Sequence, residues 1–94
     1  MTIGILTLHF FIPGCTSLKE KRSHIKPVLV RLRREFNISV AEVDRQDMWQ
    51  ESVIACALIS NDHEYTQSAL QQVAGFSEHN WPELELLEHH IELV

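Results

Sequence analysis

An α+β fold with its elements in the order βαββαβ is predicted by this 94-residue sequence. Three observations carry the prediction. Residues 2–12 alternate between apolar and mixed positions with the period of a strand. Two longer segments each open on a capping signal and then repeat apolar residues three and four apart. Two further stretches rich in β-branched residues lie between those segments, and another strand-like stretch closes the chain.

In the first strand, Gly4, Leu6, Leu8, Phe10 and Ile12 face one way, and Ile3, Ile5, Thr7, His9 and Phe11 face the other. The first set is the core side; "PGCT" then breaks the strand. Ser17-Leu18-Lys19-Glu20 reads as a capping box, in which Ser17 accepts from an early backbone N–H and Glu20 reaches back to the N–H of Ser17. Leu18, Ile25, Leu29, Leu32 and Phe36 mark the apolar face of the helix that follows. Pro27 conflicts with it, since a proline removes one i→i−4 bond and costs about 3 kcal/mol in a straight helix. The apolar stripe continues on both sides, so one bent helix is expected, ending at Asn37.

"ISVAEVD" reads as a strand, "RQDMWQ" as a turn, and "SVIACALIS" as a further strand. That strand is apolar on both faces, with Ile54, Cys56 and Leu58 against Val53, Ala55, Ala57 and Ile59, so it belongs in the middle of a sheet. Asn61 and Glu64 offer a second capping box. The helix after them is expected to run to about Ser77 with Thr66, Ala69, Leu70, Val73 and Phe76 inward. "EHNWP" turns the chain into a last strand, "ELELLEHHIELV".

Right-handed crossovers turn this order into the split-βαβ, ferredoxin-like arrangement. It is a four-stranded antiparallel sheet, order 4-1-3-2, with two helices on one face. Strands one and three are then central, and those are the two strands with apolar residues on both faces.

At 45% apolar and 22% charged residues the composition is that of an ordinary globular protein, and residues 1–94 are expected to form a single domain. The two cysteines, Cys15 and Cys56, make no C-x-x-C pair, so a disulfide framework is not expected and a reducing cytoplasm fits. The N-terminal apolar run lacks a basic leader and a cleavage site and is too short to span a bilayer. No membrane association is expected.

Three stretches, "HFFIPGCTSLKEKR", "RLRREFNISVAEVDRQDMWQ" and the "SND" before the second helix, resemble the YlxP-like family of small bacterial proteins of unknown function. The resemblance runs nearly end to end, with His89 standing where the family pattern has an aromatic. It implies the same ferredoxin-like fold. Genes of this family often neighbour genes for translation initiation and ribosome maturation, which implies a role near RNA or the ribosome without giving an activity.

Charge is the informative quantity. The chain has a net charge of −5, yet Lys19, Lys21, Arg22, Lys26, Arg31, Arg33 and Arg34 are seven of its eight cations. With only Glu20 against them, residues 19–34 carry +6, and the remainder, Arg45 against twelve acids, carries −11. Lys19, Arg22, Lys26 and Arg33 share a helix face, Lys21 and Arg31 flank it, and Arg34 lies toward its edge. Such a stripe can follow a phosphate backbone. It also reads as a solvated face paired with acids of a neighbouring strand or subunit.

The topology is that of the RNA-recognition module, which stacks bases on aromatics of strands one and three. Here strand three has no aromatic, and His9 and Phe11 are the stacking candidates of strand one. Any RNA contact is therefore expected on the basic helix. Glu42, Asp44, Asp47 and Glu51 surround Trp49 in the hairpin, with Glu42 and Asp44 expected on one strand face. They could hold a metal or exchange protons, or keep an edge strand soluble while Trp49 covers the sheet end or an interface.

The six histidines include His89 and His90, which point to opposite faces of a strand, and no H-x-x-x-H spacing occurs. Cys56 reads as a buried hydrophobe, and Cys15 lies just before a helix N-terminus, where a thiolate is favoured. No nucleophile–base pair, metal set or phosphate loop emerges, so no catalytic residue, metal or cofactor is assigned. The expectation is a non-enzymatic accessory protein that binds RNA or a ribosomal particle through the first helix. The alternative is a homo-oligomeric interaction module that binds no nucleic acid. In either case Ile3, Ile5 and Phe11, on the outer sheet face, are candidates for a homodimer interface.

Overall fold

The strand of residues 2–11 and the strand of residues 51–60 lie side by side at the centre of one sheet, as their two-sided apolar pattern requires. The structure is a computed structural model that describes all 94 residues. Its elements are β1 (Thr2–Phe11), α1 (Leu18–Glu35), β2 (Ser39–Asp44), β3 (Glu51–Ser60), α2 (His63–His79) and β4 (Glu85–Leu93). The sheet is antiparallel throughout with order β2-β3-β1-β4, the expected 4-1-3-2 read from the other edge.

Both helices pack on one face of the sheet. Leu6, Leu8, Phe10 and Ile12 of the first strand segment meet Ile25, Val28 and Leu32 of α1, Leu70 and Val73 of α2, and Ile54 and Cys56 of β3 in one buried cluster. Val28 and Trp81 belong to this core although the sequence pattern did not single them out. Trp81 leaves the turn after α2 and stands edge-on to Phe10 and Phe76, at centroid distances of 6.4 and 5.7 Å. At Gly4 the strand passes so close to α2 that an added Cβ would collide with Thr66 and stand 2.7 Å from Leu70 Cδ1. Glycine alone fits there without displacing those side chains.

The helix starts differ in detail from the capping boxes read above. Ser17 Oγ accepts from Glu20 N at 3.1 Å as expected, but the Glu20 carboxylate takes the N–H and hydroxyl of Thr16, at 3.1 and 3.0 Å, and not the N–H of Ser17. The backbone bond from Thr16, aided by its hydroxyl, holds the Glu20 carboxyl below its ordinary range. The cap of α2 is Asp62, one residue after Asn61; its Oδ1 accepts from Glu64 N and Tyr65 N. Pro27 sits inside α1 without dividing it. Ser23, whose carbonyl loses its partner, and Pro27 itself are both exposed, so water can take the missing bond.

No helix is long and apolar enough to cross a membrane. The face of the sheet opposite the helices is covered by no element of the chain.

A candidate nucleic-acid interface on the first helix

The seven cations of α1 divide into two groups by what they touch. Lys21 is only 2% exposed. Its ammonium lies 2.8 Å from Glu42 Oε2 and donates to the carbonyls of Arg45, at 2.7 Å, and Gln46, at 3.4 Å. Ser52 Oγ donates to the same Glu42 oxygen at 2.6 Å. Lys21 therefore leaves the set of phosphate-contacting candidates: its charge is spent on tying α1 to the β2–β3 turn. Arg33 donates from Nη2 to Val40 O at 2.6 Å. Arg31 pairs with Glu35 one turn on, at 3.2 Å, and lies 5.3 Å from the centre of the Phe76 ring. A side chain held this way can contribute field to a ligand but is not free to reach for it.

Lys19, Arg22, Lys26 and Arg34 are exposed, and none of them is in an ion pair. Lys19, Arg22 and Lys26 line a shallow depression with Ser23 and Pro27. Arg22 and Lys26 also stand on the rim of a groove of about 330 Å³ between α1 and the β2–β3 turn. Leu18, Ile25 and Leu29 give it apolar walls, and Gln46 and Asp47 close it from the turn side.

The acidic hairpin is not a paired-carboxylate site. The ladder shifts register between Glu42 and Asp44, so Glu42 sits opposite Ile54 and Asp44 opposite Val53. Those neighbours point to opposite faces, and the bulge that separates them undoes the shared face expected from strict alternation. No group of three or more His, Cys, Asp and Glu side chains is gathered as a metal ion would need. His9 is tied by Nε2 to Glu51 Oε1 at 2.7 Å, and its side chain is only 16% exposed, which leaves little ring face for a base to stack on. Cys15 is buried and its thiol donates to Ser17 O at 3.3 Å. Cys56 is buried beneath the helices, and desolvation pushes its thiol up to about 12.

Ile3, Ile5 and Phe11 lie on the uncovered sheet face, half-exposed. Register places Ile59 opposite Ile3, and Ala57 opposite Ile5, so the apolar surface extends across both central strands. Trp49 lies beside Phe11 and Glu51 at the end of the central strands. It projects from the turn and is 53% exposed. The readable signal for it was a tryptophan inside a polar turn, "RQDMWQ", where the core needs none.

This βαββαβ domain with a cationic first helix matches the family model of DUF503 over residues 3–91, described as "Protein of unknown function (DUF503)". The chain belongs to this family. Among curated proteins it is similar to the "Uncharacterized protein YlxP" of Bacillus subtilis (strain 168), with 36% identity over 83 residues, covering 88% of this chain and 89% of that protein.

Proposed function

We propose that this is a non-enzymatic accessory protein that binds single-stranded RNA, free or displayed on a ribosomal particle, through the exposed face of α1. One observation carries the reading: Lys19, Arg22, Lys26 and Arg34 remain exposed and unpaired in a chain that has an excess of acids to pair them with. Exposed cations with no carboxylate partner keep their full charge available to a ligand. Four of them on one helix are suited to an anionic partner, and phosphates are the partner that a helical stripe of point charges fits. The acids elsewhere repel a polyanion from the rest of the surface and confine it to the helix.

The test is fluorescence anisotropy with a labelled single-stranded RNA at several salt concentrations. Four phosphate contacts give a slope of log K against log salt of roughly −3. Reversing Arg22→Glu and Lys26→Glu weakens binding for every RNA sequence and flattens the slope. Absence of binding at low salt, or binding indifferent to salt and to the reversal, refutes the reading.

A second reading is favoured by the uncovered apolar sheet face: a homodimer formed sheet to sheet through Ile3, Ile5, Phe11 and the neighbouring Ile59 and Ala57. Ile59 is 65% exposed on a central strand, where solvated apolar surface is costly. Light scattering at micromolar protein checks it. A dimer that Ile5→Glu splits supports the reading, and a monomeric unmutated protein refutes it.

A further inference from the structure

The turn of residues 45–50 stands at the end of the molecule where α1 begins, because Lys21 in the first turns of the helix holds its carbonyls. The turn is fixed at both ends. Gln50 donates its side-chain amide to Cys15 O at 3.3 Å, and Ile12 N donates to Gln50 O at 2.8 Å. Met48 N closes back on Arg45 O at 3.1 Å, with Arg45 at φ 60°. On this fixed loop Trp49 is displayed to solvent. Together with Phe11, Asp47, Met48, Gln50 and Glu51 it lines an open concavity of about 360 Å³. Asp47 lines that concavity and also the groove rimmed by Arg22 and Lys26, so the two depressions meet at one residue.

We infer that Trp49 is a base-stacking platform: an unpaired nucleotide of a strand bound along α1 lays its base on the indole while its phosphates sit on Arg22 and Lys26. The inference rests on the RNA reading above and names the element that takes the base. The charges on the page favour this arrangement over the reverse. The depression beside Trp49 is lined by Phe11 and Met48 and by no lysine or arginine, which suits the neutral π-face of a base, whereas Arg22 and Lys26 rim the neighbouring groove and suit phosphate. The fixed turn also helps, since a platform whose backbone is held before binding has less freedom to lose on contact.

The experiment follows Trp49 by intrinsic fluorescence and measures affinity by anisotropy in parallel. Short oligoadenylate and an abasic ribose-phosphate strand of the same length are the two probes. Oligoadenylate quenches the exposed tryptophan and the abasic strand does not. Trp49→Ala weakens oligoadenylate binding by about tenfold or more, Trp49→Phe by less, and neither changes the salt slope. Both variants alter a solvated turn, so far-ultraviolet dichroism stays that of the parent. Salt-dependent binding that is lost on reversal of Arg22 and Lys26, yet indifferent to Trp49→Ala, overturns this inference and leaves the RNA reading standing. Absence of any oligonucleotide binding overturns both. Quenching by an apolar peptide but by neither strand assigns the patch to a protein partner and also overturns the inference.

Discussion

Removing either partner of the Lys21–Glu42 pair tests whether the one buried cation of α1 is structural. The two sides are not equivalent. Glu42 is 21% exposed and keeps the hydroxyl of Ser52, so after Lys21→Met water reaches the carboxylate and the two turn carbonyls. A cost of about 2–3 kcal/mol is expected, below the range for breaking a fully buried pair. Glu42→Leu is harsher. It leaves an ammonium that is 2% exposed with only the carbonyls of Arg45 and Gln46, and about 3–5 kcal/mol is expected. The double variant replaces both charges by apolar groups and costs less than the sum of the singles, by about 2 kcal/mol or more. Urea unfolding followed by circular dichroism gives all three values from the midpoints. Singles that each cost under about 1 kcal/mol, or a double variant equal to their sum, would refute the reasoning. Lys21 would then be a cation that happens to be covered.

Two other perturbations address the core. Gly4→Ala forces a methyl against Thr66 and Leu70, and overpacking of this kind costs about 1–3 kcal/mol in the same urea assay; a neutral substitution would mean that α2 slides off the strand at no cost. Cys56 gives a pH dependence. Its thiol is raised from an ordinary 9.0 to about 12, so the folded state holds the proton more tightly than the unfolded chain. Its contribution is whole below pH 9 and is lost as the pH climbs toward 12, by up to about 1.4 kcal/mol per unit. Cys56→Ala has no such loss, so the stability gap between the two proteins is constant below pH 8.5 (about half a unit under the ordinary value) and narrows above 9; a gap that stays constant to pH 11 counts against the buried thiol.

The fold was legible because its signals are local and mutually consistent. Alternation in 2–12, Ser17 and the apolar stripe of α1 each specify an element without reference to the others, and βαββαβ order with right-handed crossovers leaves one compact topology. What could not be read is what depends on tertiary neighbours. Lys21 looks like any cation beside the stripe, since helical spacing puts it at the edge between core and solvent. Only the arrival of the β2–β3 turn decides that it is buried. The bulge at Val43 leaves no mark in "SVAEVD", yet it sends Glu42 toward Lys21 and Asp44 to the other face. Asp62 and Asn61 are both good caps, and a one-residue choice between them is set by where α2 must dock. Trp81 was hidden in a turn, where a buried tryptophan has no periodic signature.

The two proposed surfaces lie on opposite sides of the sheet, and this separation makes a prediction of its own. In a sheet-to-sheet dimer the α1 helices are outermost on both sides. With sheets about 10 Å apart and helices about 10 Å across, their axes stand roughly 30 Å from each other. A short strand bound to one stripe reaches the other only by passing around a sheet edge. The β2 edge, on which α1 packs, exposes Asp44, and the far β4 edge exposes Glu85, Glu88 and Glu92, all of which repel it. Each stripe therefore binds a short oligonucleotide independently. Ile5→Glu, which splits the dimer, leaves the affinity for a short strand within about twofold of the parent, whereas a long RNA that can wrap both stripes loses avidity by tenfold or more. Anisotropy with the two lengths, before and after the substitution, decides it. Loss of short-strand affinity on splitting the dimer would mean that the binding surface is assembled from both subunits, and that the stripe on a single α1 is not the complete site.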